Sequence, residues 1–216
     1  CRQVPEIADR PIVSIFVGGG TPSLMSGETV EQLLTGIRSR FRLTEDCEIT
    51  MEANPGTAES EKFKAFRAAG VNRLSIGVQS FSDEKLRRLG RIHTADDARA
   101  AIDMARQSFE NFNLDLMYAL PGESIADLRM ELAEALSSGA THLSCYQLTI
   151  EPGTAFEKRL PEGLPDLDET AEMGDVVEVL LAQAGYTRYE VSGYAQPGRQ
   201  CRHNLNYWMF GDYLAA

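Results

Sequence analysis

Short apolar runs return along this chain at intervals of roughly 25 to 45 residues, and that recurrence restricts the fold more than any other feature. The runs occupy residues 12–17, 48–53, 73–78, 113–120, 142–149 and 186–191. Their β-branched content predicts parallel strands buried on both faces. The intervening segments carry apolar stripes at helical spacing. Val30, Leu33, Leu34, Ile37 and Phe41 form one, Leu128, Leu132, Ala135 and Leu136 a second, and Val176, Val177, Leu180, Leu181 and Ala184 a third. Thr94 with Asp97 and Ser124 with Asp127 have capping-box spacing, and Gly70, Gly139 and Gly185 stand where helices should stop.

A strand–helix unit repeated about six times predicts an α/β protein with a parallel sheet. Six units in series predict a full or partial (β/α) barrel of TIM-like type, with a doubly wound open sheet as the alternative. Nothing between residues 1 and 216 reads as an interdomain linker, so a single domain is expected. The Pro-, Asp- and Gly-rich stretch 161–168 reads as a surface loop.

Ligands of parallel α/β folds bind at the carboxyl ends of the strands. There the sequence places Gly18-Gly19-Gly20-Thr21-Pro22, Glu52 followed by Asn54-Pro55-Gly56, Gln79, Asp115, then Gln147, Thr149 and Glu151, and finally Glu190 and Ser192. Packing alone does not explain polar groups converging on one rim. The glycine run lets a ligand approach the backbone closely. Its spacing is that of neither a P-loop nor a dinucleotide fingerprint. Glu52 and Asp115, each inside an apolar run, need partners if buried. Arg91 on its own reads as a loop charge, and His93 and His142 as structural residues.

The net charge of −11, from 21 basic and 32 acidic side chains, argues against binding nucleic acid through its phosphates. No apolar stretch is long enough to span a bilayer, so an integral membrane protein is not expected. The opening residues carry no apolar run behind their charge and do not read as a signal peptide. The four cysteines, at positions 1, 47, 145 and 201, fit no zinc or iron–sulfur spacing. Cys47 and Cys145 read as buried, reduced thiols, which points to a cytoplasmic protein.

Four runs together resemble the oxygen-independent coproporphyrinogen-oxidase-like branch of the radical S-adenosylmethionine (SAM) family. They are Phe16-Val17-Gly18-Gly19-Gly20-Thr21-Pro22-Ser23, Thr50-Met51-Glu52-Ala53-Asn54-Pro55-Gly56, Gly70-Val71-Asn72-Arg73-Leu74-Ser75-Ile76-Gly77-Val78-Gln79-Ser80-Phe81 and Asn113-Leu114-Asp115-Leu116-Met117. His203-Asn204-x-x-Tyr207-Trp208 and Tyr146-Gln147-Leu148-Thr149-Ile150-Glu151-Pro152 are similar to the haem-chaperone members of that branch rather than to the true oxidases.

The resemblance implies a partial barrel, SAM, a [4Fe-4S] cluster and haem. It implies SAM contacts at Gly19, Gly20, Thr21, Glu52, Gln79, Arg91, Asp115 and Thr149, and a haem ligand at His203. Arg91 would suit the SAM carboxylate, since a guanidinium clamps a carboxylate well. A haem-accepting protein is the implied partner. The alternative function is oxidative decarboxylation of coproporphyrinogen III. The family's three cluster cysteines precede the glycine-rich strand, where this chain has only Cys1, so the resemblance implies a chain truncated at both ends relative to the family.

Overall fold

The computed structural model describes residues 10–56 and 61–215, which leaves Cys1 outside the described residues. Strand β1 (Ile12–Val17) leads through a 3-10 turn (Pro22–Leu24) to helix α1 (Gly27–Arg38) and β2 (Leu43–Ala53). Next come α2 (Phe63–Ala69), β3 (Arg73–Gln79), α3 (Asp83–Arg88), α4 (Ala95–Ser108) and β4 (Phe112–Tyr118). Helix α5 (Ile125–Ser137), β5 (His142–Gln147), α6 (Ala155–Lys158) and α7 (Leu167–Gln183) follow. The short strands β6 (Thr187–Arg188) and β7 (Gly193–Ala195) and helix α8 (Arg202–Trp208) complete the order.

Local sequence explains most boundaries. Thr94/Asp97 and Ser124/Asp127 form the expected reciprocal capping boxes at the starts of α4 and α5. A third, Asp166 with Glu169, starts α7, so the loop expected over 161–168 ends at Asp166. Each such cap is worth about 1 kcal/mol. Gly70, Gly139 and Gly185 follow α2, α5 and α7 with positive φ. Strand β4 ends at Tyr118, short of the expected residue 120, because Ala119 turns to φ +58.

Strands β1 to β5 are parallel and adjacent in chain order. A doubly wound sheet would reverse that order, whereas right-handed crossovers that never reverse put the helices on one side. The outward side chains Met51, Leu74, Ile76, Leu114 and Leu143 are fully buried in one core with Val30, Leu34, Phe63, Phe66, Leu132 and Val177 of the helices. The sheet curls into a half-barrel, the partial barrel expected from the strand–helix repeat.

Two expectations are corrected. The central strands are buried on both faces as expected, but only the convex face is mainly apolar. Their other face carries alternate polar residues, such as Ser75 and Gln79, Asn113 and Asp115, and His142 and Ser144, because it lines a cavity. The sixth run, 186–191, is not a sixth parallel barrel strand beside β5. Only Thr187 and Arg188 join the ladder; the chain then reverses, and β7 inserts antiparallel between β5 and β6. Glu190 fixes the reversal by accepting from the backbone N–H and hydroxyl of Ser192, both at 3.1 Å. A Cβ at position 193 would lie 2.3 Å from Glu190 Oε1, so a larger residue there would displace the Glu190 side chain that fixes the reversal.

Candidate cofactor site

The concave face encloses a cavity of about 210 Å³. Glu52, Gln79 and Asp115, from β2, β3 and β4, all line it, so three residues singled out in the sequence share one space. Gly19, Gly20 and Thr21 are not among the lining residues; the glycine loop meets the cavity through Glu52. Gly19 and Gly20 have φ of +85° and +59°, and Gly19 N–H donates to Glu52 Oε2 at 3.1 Å. A Cβ at Gly18 would lie 2.8 Å from the Phe16 ring and 3.0 Å from the Glu52 carboxyl, so that backbone passes directly over the carboxylate. Lys62 pins the turn after Thr21 by donating to the carbonyls of Ser23 and Leu24 at 3.2 and 2.9 Å.

Gln79 stands in the left-handed region, φ +66, at the end of β3. The next two residues are anchored by Glu131 of α5, which accepts from Ser80 Oγ at 2.7 Å and Phe81 N–H at 3.4 Å. His93 holds the same strand end through Val78 O at 3.1 Å, a structural role as expected.

Asp115 lies deeper than the rim. Its oxygens accept from Asn113 Nδ2 at 2.8 Å and Ser75 Oγ at 3.2 Å. Burial pushes its pKa up despite these bonds. Asn113 is a hub. Its Oδ1 accepts from Ser144 Oγ at 3.1 Å and from His142 Nδ1 at 2.7 Å. That bond puts the His142 proton on Nδ1, so Nε2 accepts from the Tyr189 hydroxyl at 2.7 Å. Burial and then the charge of Arg73 hold His142 well below the ordinary imidazole range, hence neutral.

Arg91 and Thr149 do not line the cavity. Arg91 is exposed between α3 and α4, and Thr149 bonds Glu151 at 3.0 Å beyond the end of β5. At the amino end of the half-barrel, Arg202 N–H donates to Glu48 Oε1 at 2.9 Å and its guanidinium pairs with Asp46 at 2.6 Å. These bonds hold α8 against the sheet. His203 stacks on Phe16, with ring centroids 4.6 Å apart, and meets Tyr207 edge-on at 4.9 Å. Beyond it, Trp208, Met209 and Phe210 are exposed.

Cys47, Cys145 and Cys201 are buried free thiols. Burial pushes Cys47 to about 11 and Cys145 to about 12, and raises Cys201 as well. They lie on β2, on β5 and before α8, and they do not fit an iron–sulfur cluster. Among the described residues no group of three or more His, Cys, Asp or Glu could hold a metal ion, and no helix is long and apolar enough to cross a membrane.

Sequence reading missed Arg73, Ser75, Asn113, Ser144 and Asn204 as cavity residues. For the first four the signal was the every-second-residue polar pattern within β3, β4 and β5, which marks one polar face; Asn204, on α8, has no such signal.

The radical SAM superfamily model matches residues 2–135. The chain is 53% identical over 214 residues to the haem chaperone HemW of Escherichia coli K12, covering 99% of this chain and 56% of that protein. It is 50% identical over 215 residues to HemW of Haemophilus influenzae, with the same coverage of each. It therefore spans about half the length of these curated relatives. The structure of coproporphyrinogen III oxidase HemN from Escherichia coli superposes with a TM-score of 0.80 at 27% identity, covering 91% of this chain and 46% of that one. Sequence family and half-barrel agree, and the chain belongs to the radical SAM superfamily.

Proposed function

We propose that this chain is the central part of a haem chaperone-type radical SAM protein, which binds SAM and haem and hands haem to an acceptor protein in the cytoplasm. The observation that carries the haem reading is the setting of His203. Its imidazole makes ring contacts with Phe16, Tyr207 and Tyr213 but no hydrogen bond among the described residues. Its edge nitrogens are therefore free to ligate. Burial lowers its pKa, which favours the neutral form that binds iron. Tyr207 and Trp208 offer flat apolar surface beside it.

The cavity residues suit SAM. Glu52 accepts from an ammonium or ribose hydroxyl, and Asp115 and Gln79 offer further polar groups on the same space. The Gly19–Gly20 backbone is open to a ligand, and Thr21 follows it at the start of the 3-10 turn. Arg91 and Thr149, on exposed loops beyond β3 and β5, would reach SAM from outside the cavity, Arg91 as the carboxylate clamp. The superfamily also implies a [4Fe-4S] cluster, which with bound SAM supplies one-electron chemistry. The three described cysteines are not its ligands.

The fold match to HemN favours a second reading, decarboxylation of coproporphyrinogen III. One experiment separates the two. The intact, cluster-loaded protein is titrated with haem and assayed with coproporphyrinogen III and SAM under reducing conditions. Stoichiometric haem binding without decarboxylation supports the chaperone reading; turnover of coproporphyrinogen III overturns it.

A further inference from the structure

Arg73, the first residue of β3, is 2% exposed and lines the cavity. Its Nε has no hydrogen-bond partner, and no ion pair or side-chain hydrogen bond among the described residues includes its guanidinium. The only other buried side-chain polar atom without a partner among these residues is Thr50 Oγ1, and Thr50 is the residue opposite Arg73 across the β2–β3 ladder. The neighbouring polar groups are engaged elsewhere. Asp115 takes Asn113 and Ser75, Asn113 Oδ1 takes His142 and Ser144, and Glu48 takes the backbone of Arg202. A buried guanidinium with no partner destabilises a fold, and proteins rarely keep one that serves only packing.

We infer that Arg73 forms a carboxylate receptor on the floor of the half-barrel, which takes one propionate arm of a bound porphyrin. This deepens the haem reading and rests on it. Three observations select the ligand. The guanidinium fork matches a planar carboxylate in a bidentate way. Glu52 and Asp115 make the surroundings acidic, which disfavours a phosphate dianion more than a carboxylate monoanion. The cavity has room for a carboxylate arm at its Arg73 end. Arg73 and Gln79 stand at opposite ends of β3, six residues apart, or roughly 20 Å of strand, and Arg73 is level with Phe16 through Thr50. Position favours the porphyrin as the source of the arm. Phe16, on which His203 stacks, and Asn204, its neighbour in α8, both line this cavity.

The test uses the intact protein, Arg73→Met and Arg73→Lys. Each is titrated with haem, with haem dimethyl ester, in which both propionates are esterified, and with free propionate followed by thermal shift. Wild type should bind haem about 10- to 100-fold more tightly than the ester, the range of one charge-assisted bidentate contact. Arg73→Met should bind both alike, and Arg73→Lys should fall between. Free propionate should raise the wild-type melting temperature and leave that of Arg73→Met unchanged. Without ligand, Arg73→Met should melt close to the wild-type temperature, because Arg73 makes no ion pair or side-chain hydrogen bond among the described residues and acts on Asp115 through its charge alone. A structural arginine would instead lower the melt and leave the haem-to-ester ratio unchanged, which overturns the proposal. Equal wild-type affinity for haem and its ester overturns it too, while leaving the haem reading intact. If wild type binds propionate through Arg73 but no haem, the carboxylate receptor stands and the haem reading falls.

Discussion

Lys85 is the residue whose loss should most disturb the rim of the site without touching it. Its Nζ lies 2.7 Å from Glu123 and 3.0 Å from Glu131, and the three side chains are 11%, 0% and 11% exposed. Burial works against its charge, but the two carboxylates more than offset this and raise its pKa. Glu131 anchors Ser80 and Phe81, and Glu123 accepts from Leu120 N–H at 3.1 Å. Lys85→Met keeps the volume and leaves two buried carboxylates with no cation between them. Breaking a buried ion pair in this way costs about 3 to 5 kcal/mol. For a chain of this size that is a fall of about 6 to 20 °C in melting temperature. The deficit should shrink at acid pH, because protonation removes the repulsion the variant suffers. Urea unfolding at pH 7.5 and pH 5 measures both effects. A loss under about 1 kcal/mol, or one that does not change with pH, would refute the reasoning.

Gly18→Ala should lower the SAM affinity of the intact protein about tenfold by calorimetry, since its Cβ displaces either the Phe16 ring or the Glu52 carboxyl that Gly19 N–H holds. Unchanged affinity would remove the glycine loop from the site. Asp115 has a raised folded pKa, so its contribution to stability is present at acid pH and lost as pH rises through that value. Asp115→Asn should therefore gain stability relative to wild type between pH 4 and pH 8 in thermal melts; a constant difference would contradict this. Cys47, Cys145 and Cys201 should resist iodoacetamide at pH 8 in the native protein and react after unfolding, as read by peptide mass spectrometry. Rapid native modification of any of the three would contradict their burial.

The half-barrel was legible because periodicity reports burial, and each strand–helix unit carries its own signal. The fate of residues 186–191 was not. Their pattern is strand-like, but whether a strand joins parallel or folds back depends on the reversal that Glu190 and Ser192 hold and on the space beside β5. Glu52, Gln79 and Asp115 converge because strand ends converge in this fold, a rule that sequence order supplies. The floor of the cavity escaped notice because Arg73, Asn113 and His142 stand at strand starts, where no rule of the fold directs attention to ligands. The conformation of Gln79, and its support by Glu131 52 residues later, is a tertiary feature with no local signature.

Haem ligation by His203 is the claim on which the functional account depends most. Haem is titrated into the intact protein and into His203→Ala, following the Soret band, with thermal melts of both in the absence of haem. The account predicts a shifted Soret band and weaker binding in the variant, with the fold retained, because among the described residues the His203 ring makes no hydrogen bond whose loss would strand a buried partner. A Soret band and affinity unchanged by the substitution would contradict it.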